Sequence, residues 1–223
     1  MTGFEIHARQ RAVSKELVEK FRQVPVANVS DCMSRMTAGG ARLRPMHDGT
    51  PLAGPALTVR TRPGDNLLVH KALSLAQPGD VIVVDAGGDL TNAIIGEIMT
   101  TYAESRGIAG IIINGAIRDC GTIRRSAFPV YAAGVTHRGP YKDGPGEINV
   151  PVSVGGQVVN PGDVVVGDAD GVVVIPAEHA SAVLALALKK EDDEAVAKEK
   201  LRAGTYTKPW LEKTLAEKMG AAK

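Results

Sequence analysis

Short apolar runs alternate with amphipathic segments through the middle of the chain. Four runs have the length and composition of buried strands: ALTVRT, DVIVVDA, IAGIIING and FPVYAAG. Two segments between them show the apolar spacing of helices, DNLLVHKALSLA and NAIIGEIMTTYAESRG, and Gly107 closes the second one. Strands that alternate with helices through short connections predict an α/β domain with a largely buried sheet.

The two ends of the chain have different patterns. The N-terminal SKELVEKFRQV predicts an amphipathic helix that ends at Pro25, and a second helix is expected near VSDCMSRM with Ser30 or Asp31 as its cap. After the FPVYAAG strand, short apolar runs and turns predict β structure packed on the α/β part. The last part predicts a long helix, AEHASAVLALALKKEDDEAVAKEKLRAG, which is apolar in its first half and charged in its second.

A three-residue turn signal, Pro-Gly-Asp, recurs before apolar residues in PGDNLLV, PGDVIVV and PGDVVVG. Proline presets one turn position, and glycine supplies a positive φ at the next. We therefore interpret these segments as turn chemistry rather than as repeats of a solenoid.

Composition narrows the functional classes. A net charge of +1 over 223 residues and an aromatic content of 4% argue against an electrostatic or base-stacking surface for nucleic acid. No apolar run reaches the ~18 residues of a membrane helix, and the first residues lack the apolar region of a signal peptide. The two cysteines, Cys32 and Cys120, do not form a disulfide framework. We expect a cytoplasmic globular protein with no nucleic-acid and no membrane partner.

Candidate chemistry lies where a predicted helix and its following strand come together. The predicted helix has Gly96 near its start, where a turn or kink of the backbone would free amides, and the strand ends in Arg118 and Asp119. A helix that packs on the following strand returns the chain toward the start of the helix, so these residues could meet. Amides freed at Gly96 would bind a carboxylate, Arg118 would add a planar cationic fork, and Asp119 would supply an oxygen ligand to a hydrated Mg²⁺.

Such a set of groups fits a 2-oxo acid, in which a carboxylate lies beside a ketone. The metal and Arg118 would stabilise the enolate that forms when a bond at C3 breaks, and Glu97 could orient a water molecule as proton carrier. The spacing alone also fits a structural interpretation, in which neighbouring backbone satisfies an Arg–Asp pair at a strand end.

Other residues allow both a functional and a structural interpretation. Asp85 and Asp89 could form a second metal site, but turn and cap roles are simpler. His137 fits a structural hydrogen bond better than a place in a pocket. Lys71 and Lys142 could in principle form a Schiff base, but surface or structural roles are favoured.

Through these segments the chain resembles the RraA-like family. That family includes metal-dependent 4-hydroxy-4-methyl-2-oxoglutarate/4-carboxy-4-hydroxy-2-oxoadipate aldolases and the regulators of ribonuclease E activity. The similar stretches cover most of residues 24–176, namely PVANVSDCM, PGDNLLVHKAL, GDVIVVDAGGD, GEIMTTYAESRGIAGIIINGAIRD, FPVYAAG and VNPGDVVVGDADGVVVIP. The resemblance implies an α/β fold of the swivelling β/β/α (αββα sandwich-like) type with a C-terminal helical tail. It also implies a homotrimer or homohexamer with its substrate site between subunits.

The resemblance also implies roles for individual residues. Arg118 matches the substrate arginine and Asp119 the metal-binding aspartate. The segment whose amides hold the substrate carboxylate is matched by Gly96, Glu97, Ile98 and Met99.

Enzymes of the family further use a carboxylate from the C-terminal region of a neighbouring subunit. We select Glu194 by its approximate position from the acidic residues Glu191, Asp192, Asp193, Glu194 and Glu199. The tail that carries it would dock through Leu184, Leu186 and Leu188. The short ribonuclease regulators lack this tail, so its presence here favours the enzyme.

The combined prediction has two parts, an RraA-like α/β domain over residues 1–178 and a tail over residues 179–223 that reaches a neighbouring subunit. The predicted activity is Mg²⁺- or Mn²⁺-dependent cleavage of a 4-hydroxy-2-oxo diacid to pyruvate and a second oxo acid, as in the degradation of aromatic compounds. Oxaloacetate decarboxylation would be a side activity. The alternatives are a non-catalytic regulator of the ribonuclease E type and an enzyme of this fold that acts on another 2-oxo acid.

Overall fold

The computed structural model describes residues 3–36 and 40–220. The regular elements of this part follow in the order β1 (Phe4–Ile6), α1 (Lys15–Phe21), α2 (Val26–Cys32), β2 (Arg44–Pro45), β3 (Leu52–Thr61), α3 (Leu67–Leu75), β4 (Val81–Asp85), β5 (Ala93–Ile95), α4 (Glu97–Ser105), β6 (Gly110–Ile117), α5 (Cys120–Ile123), β7 (Val130–Val135), β8 (Gly146–Ile148), β9 (Val152–Val154), β10 (Gln157–Val159), β11 (Val164–Gly167), β12 (Val172–Ile175), α6 (Ala180–Arg202) and α7 (Pro209–Gly220), with a short 3₁₀ turn at Ala177–His179 before α6.

A central mixed sheet organises the first compact unit, Met1–Ala187. Its strand order is β1-β8-β3-β4-β6-β7-β2, and β3, β4, β6 and β7 run parallel. Strand β5 pairs in parallel with the end of β6. Strand β11 pairs antiparallel with the first residues of β3, and β12 pairs antiparallel with β11. The α/β fold predicted from the sequence is confirmed.

Alternating side chains on the parallel strands supply two faces of the sheet. In β4, Ile82 and Val84 join α3 and α4 in one apolar cluster, whereas Val81 and Val83 lie in another cluster with Tyr131. Both faces are therefore covered, which is why these strands are nearly continuous apolar runs. The start of the chain packs elsewhere, since Phe21 of α1 lies in a third cluster with residues of α2, β11, β12 and the start of α6.

Two predicted elements differ from the observed ones. Helix α2 begins at Val26, so Ser30 and Asp31 lie inside it and do not cap it. The early start buries both Val26 and Val29. The segment Ala93–Ile95, predicted as the first turn of a helix, is strand β5, because a short apolar run is ambiguous and here it pairs with β6.

The C-terminal helix α6 crosses from the first compact unit to the second, Leu188–Lys223. Leu184 is buried, but Leu186 and Leu188 are 54% and 40% exposed. The predicted docking through all three leucines was wrong for Leu186, because it lies two residues from Leu184 and therefore on another side of the helix. Leu188 lies about one turn after Leu184 but belongs to the second compact unit. Val183, Leu184 and Ala187 form the buried stripe instead. Among the described residues, no helix combines the length and apolarity needed to cross a bilayer.

Candidate active site

The candidate site lies where β5 and β6 end side by side. Ile95 is the register partner of Ile117, and the Arg118 amide donates to the Ile95 carbonyl at 3.0 Å. The chain enters α4 directly after β5 and leaves β6 through Arg118 and Asp119. Parallel pairing of these strands therefore brings the start of α4 next to the Arg–Asp pair, as the sequence predicted.

Asp119 connects the two segments. Its Oδ2 accepts the Glu97 amide at 2.9 Å, so the N-terminus of α4 binds a carboxylate of the chain itself. The Met99 amide donates to the Gly96 carbonyl at 3.0 Å. Among the described residues, the Ile98 amide has no acceptor. The anion cradle predicted over residues 96–99 is thus partly filled, and the Ile98 amide is left for a ligand.

The backbone of Asp119 is left-handed, with φ 55° and ψ 32°. Aspartate and asparagine tolerate this region better than most residues with a Cβ. The conformation turns the chain from β6 into α5, where Thr122 and Ile123 donate to the Asp119 carbonyl at 3.0 and 3.2 Å. The carboxylate is consequently free to point away from α5 and toward α4.

Gly96 is needed for space rather than for its backbone angles. Its φ of −151° is extended, a conformation that any residue adopts. A Cβ at this position would lie 2.9 Å from Cγ and 3.1 Å from Nε of Arg118, and would collide with Oδ2 of Asp119. The absence of a side chain therefore allows both functional groups to approach the start of α4.

Arg118 lies between Asp119 and a surface loop. Its Nε is 3.8 Å from Asp119 Oδ2, and the two side chains are 43% and 41% exposed. A Cβ on Gly139 would lie 3.2 Å from Nη1 of Arg118. An ion pair this exposed and this long contributes little to stability. The guanidinium therefore keeps most of its donors available for a ligand.

These groups line a cavity of about 120 Å³. Gly96, Ile98, Arg118 and Asp119 are in its lining, and so are three residues that the sequence did not predict for the site, Asn66, His70 and Lys142. Arg118 and Lys142 together outweigh the charge of Asp119, so the cavity favours an anionic ligand.

Burial and the charge of Lys142 both affect the imidazole of His70. Partial burial of the imidazole, and to a smaller extent the charge of Lys142, hold the pKa of His70 below its ordinary value. His70 is therefore neutral at pH 7 and can either donate or accept a hydrogen bond. Lys142 was considered in the sequence only as a Schiff-base candidate.

Asn66 is buried, and its amide orientation is fixed. Nδ2 donates to the Ile94 carbonyl at 2.9 Å and lies 3.3 Å from the sulfur of Met99. Its Oδ1 is buried without a hydrogen-bond partner among the described residues. A buried oxygen left without a hydrogen bond costs about 1–3 kcal/mol, so Asn66 Oδ1 is an acceptor available to a donor group of a ligand.

The donor set can be tested against the expected Mg²⁺. The described residues contain no group of three or more His, Cys, Asp or Glu side chains that could enclose a metal ion. Because Oδ2 of Asp119 accepts the Glu97 amide, Oδ1 is the oxygen left for a cation. One carboxylate oxygen in a half-exposed position fits a hydrated Mg²⁺, which keeps several water ligands, and does not fit a closed zinc site.

Glu97 is exposed and is not part of the cavity lining, and the remaining sequence candidates also lie outside the cavity. Asp85 accepts the Gly87 amide at 3.0 Å, and Asp89 accepts the Thr91 amide at 3.1 Å, so both have turn roles. His137 and Lys71 are exposed and are not part of the lining.

Glu194 lies in the second compact unit, where its carboxylate is 3.4 Å from Lys190 and 4.0 Å from Lys198.

Known proteins share both this sequence and this fold. The sequence model of the RraA-like family, described as aldolase/RraA, matches residues 26–174. A protein of Halalkalibacterium halodurans named "Putative 4-hydroxy-4-methyl-2-oxoglutarate aldolase" is 44% identical over 181 residues, which cover 81% of this chain and 86% of that protein. The chain belongs to the aldolase/RraA family.

Solved structures agree with this family assignment. A crystal structure of an uncharacterized protein from Pseudomonas syringae pv. tomato str. DC3000 has a TM-score of 0.79 at 25% identity and covers 88% of this chain and 96% of its own. RraAS2 of Streptomyces coelicolor, an unusual member of the RNase ES inhibitor RraA protein family, has a TM-score of 0.76 at 29% identity and covers 84% and 98%. The proteins similar to this chain thus include one named as an aldolase and one described as a member of an inhibitor family.

For this member of the aldolase/RraA family, we predict that Gly96→Ala disrupts the site. The new Cβ should separate Asp119 from the Glu97 amide and displace Arg118, with a loss of about 1–3 kcal/mol of stability. A crystal structure and thermal denaturation of the variant would measure both effects. Gly121→Ala is the matched control, because a Cβ there meets its nearest atom at 3.9 Å. An unchanged Glu97–Asp119 hydrogen bond in Gly96→Ala would contradict the prediction.

Proposed function

We propose that this protein is a divalent-metal-dependent aldolase that cleaves 4-hydroxy-2-oxo diacids, such as 4-hydroxy-4-methyl-2-oxoglutarate or 4-carboxy-4-hydroxy-2-oxoadipate, to pyruvate and a second oxo acid. The observation that carries the proposal is the meeting of Arg118, Asp119 and the start of α4 at one cavity. The name of the Halalkalibacterium halodurans relative supports the same reaction class.

Substrate binding would use donors that have no partner in the described part of the chain. The Ile98 amide and the Arg118 guanidinium can hold the carboxylate and the ketone oxygen of a 2-oxo acid. The ligand then lies between Gly96, which presents no side chain, and the wall that contains Asn66, His70 and Lys142. Two cationic side chains at one small cavity suit a substrate that carries more than one carboxylate.

The reaction breaks the bond between C3 and C4. A base removes the proton of the 4-hydroxyl group, C4 becomes the carbonyl carbon of the second oxo acid, and the electron pair of the broken bond moves into an enolate over C3, C2 and the ketone oxygen. Arg118 offsets the negative charge that develops on that oxygen. A proton delivered to C3 then gives pyruvate, and a water molecule oriented by Glu97 is suited to carry it.

Asp119 would hold the divalent cation, Mg²⁺ or Mn²⁺, through the oxygen that does not accept the Glu97 amide. When bound, such an ion supplies Lewis-acid polarisation of the substrate ketone. Decarboxylation of oxaloacetate gives the same pyruvate enolate, so the arrangement also supports that side activity.

The proposal includes a homo-oligomer, a trimer or a hexamer. Ile98 is beside the cavity and 81% exposed, and Tyr102 on the same helix is 44% exposed. Apolar residues this exposed beside a polar site suit coverage by a neighbouring subunit. We propose that Glu194 of such a neighbour serves as the base for the 4-hydroxyl group. A cytoplasmic location stays a prediction that the two free cysteines favour.

Pyruvate release from a panel of 4-hydroxy-2-oxo acids and oxaloacetate tests the function. We expect turnover with Mg²⁺ or Mn²⁺, loss of turnover after chelation, and recovery when the metal is added back, because Asp119 alone holds the ion weakly. Full activity in metal-stripped protein would reject the mechanism. If no member of the panel is cleaved, the ribonuclease-regulator alternative or a different 2-oxo acid becomes the better interpretation.

Paired substitutions should separate the two roles of the Arg–Asp pair. Arg118→Lys keeps the charge but loses the planar fork, so turnover should fall on the order of 10²-fold while the metal requirement is unchanged. Asp119→Asn keeps an oxygen for the Glu97 amide and tolerates the left-handed backbone, so it should mainly raise the Mg²⁺ concentration needed for half-maximal rate. Titrations of metal and of substrate for both variants measure the difference. Near-normal rates for Arg118→Lys would remove Arg118 from the mechanism.

Mixed oligomers test whether Glu194 acts in a neighbouring site. Asp119→Ala, which removes the carboxylate altogether, and Glu194→Ala should each be nearly inactive alone. When the two variants are co-expressed, about a quarter of the sites in a randomly mixed cyclic oligomer would combine an intact pocket with an intact tail. We expect activity to return in that proportion, with mixing verified by mass spectrometry. If mixed oligomers stay inactive, Glu194 does not act across subunits.

A further inference from the structure

The three Pro-Gly-Asp turns share one backbone geometry. In each, the aspartate amide donates to the carbonyl of the residue three positions earlier, at 3.0 Å for Asp65, 3.0 Å for Asp80 and 3.1 Å for Asp163. The preceding glycines have φ values of 75°, 93° and 89°. The three aspartates are 0%, 2% and 3% exposed, respectively. The turn interpretation made from the sequence therefore holds for all three.

Two of the three carboxylates complete their own turn. Asp80 Oδ2 accepts the Gln77 amide at 2.8 Å, and Asp163 Oδ2 accepts the Asn160 amide at 2.9 Å. In both cases the carboxylate accepts the amide of the first residue of the four-residue turn and so closes the turn. The other oxygen accepts from the Arg9 guanidinium in Asp80 and from the Ala177 amide in Asp163.

Asp65 uses its carboxylate differently. Its Oδ2 accepts the amides of Asp143 at 2.7 Å and Gly144 at 2.9 Å, residues that are 78 and 79 positions away in the sequence. Its Oδ1 accepts the Leu67 amide at 2.9 Å at the start of α3. Arg62 adds a guanidinium donor at 3.1 Å. This buried carboxylate therefore joins the start of α3 to a distant loop.

Both joined segments belong to one wall of the cavity. The start of α3 contributes Asn66 and His70, and the loop contributes Pro140 and Lys142. Backbone bonds align them further, because the Asn66 amide donates to the Tyr141 carbonyl at 3.0 Å. The rest of the lining includes Gly96, Arg118 and Asp119. The width of the cavity therefore depends on where the wall that carries Asn66, His70 and Lys142 is held.

We infer that Asp65 is a positioning residue that fixes the wall carrying Asn66, His70 and Lys142 at the distance the substrate needs. The inference rests on the proposed aldolase function. Asp65 is fully buried and cannot touch the substrate itself. Its ionised carboxylate suits four converging donors, whereas an asparagine would present an NH₂ group to some of them.

Asp65→Asn and the matched control Asp163→Asn test the inference. Both substitutions neutralise a buried turn carboxylate, but Asp163 is not part of the cavity lining. We expect Asp65→Asn to raise KM for the best substrate of the panel by about tenfold, with kcat changed by less than about threefold, because binding depends on the wall. We expect Asp163→Asn to lower thermal stability without a change in KM.

The split between KM and kcat separates positioning from a purely structural role. A structural role would reduce the folded fraction, and with it the apparent kcat, and would leave KM unchanged. An unchanged KM in Asp65→Asn, or an equal rise in Asp163→Asn, would overturn the inference. If Asp65→Asn does not fold, Arg62→Gln removes one donor and keeps the carboxylate, and it should raise KM by a smaller factor. An unchanged KM there would also overturn the inference.

The outcome is distinguishable from a failure of the proposed function. If the unsubstituted protein cleaves no substrate of the panel, the function is rejected and the inference falls with it. If the unsubstituted protein is active and the Asp65 and Arg62 variants bind substrate normally, only the positioning role is rejected.

Discussion

The hydrogen bond from the Glu97 amide to the Asp119 carboxylate holds together the two chain segments on which the site depends. Parallel pairing of β5 with β6 brings these segments to the same edge of the sheet, but strand pairing alone leaves the direction of the side chains open. The bond sets the direction of Asp119, and the missing side chain at Gly96 lets Arg118 pack against the same helix start. A site for a small anion therefore follows from one helix end and one strand end.

The wall of the cavity that carries Asn66, His70 and Lys142 supplies polar groups rather than reactive ones. His70 is kept neutral beside Lys142, so the wall carries one cation instead of two. Asn66 adds a buried oxygen that has no hydrogen-bond partner in residues 3–36 and 40–220. A neutral imidazole and an amide can recognise hydroxyl and carbonyl groups, whereas the Arg118 side attracts carboxylates. The two walls thus favour ligands that combine an acid with a neutral oxygen function.

The sequence predicted the α/β class and the meeting of Gly96, Arg118 and Asp119, because a helix that packs on its following strand brings these two segments together. It did not predict the pairing of β5 with β6 that holds them side by side in the structure. It did not predict Asn66, His70 or Lys142 as site residues, since their meeting depends on a loop that returns after more than seventy residues. The prediction of helix for Ala93–Ile95 was wrong for a local reason, because three apolar residues are too few to distinguish the helical period from the extended one. The Pro-Gly-Asp signal was interpreted correctly as a turn, but local chemistry could not reveal that Asp65 bonds to a distant loop.

The left-handed backbone of Asp119 has a thermodynamic consequence. A residue with a Cβ in this region is less stable than in the common regions. Hydrogen bonds within the chain, from Glu97 to the Asp119 carboxylate and from Thr122 and Ile123 to its carbonyl, hold it there. The free energy that aims the carboxylate is therefore supplied when the chain folds, not when a ligand arrives. Such preorganisation lowers the entropic cost of association, so a ligand as small as a three-carbon acid, with few atoms to contribute, can still bind in a defined orientation.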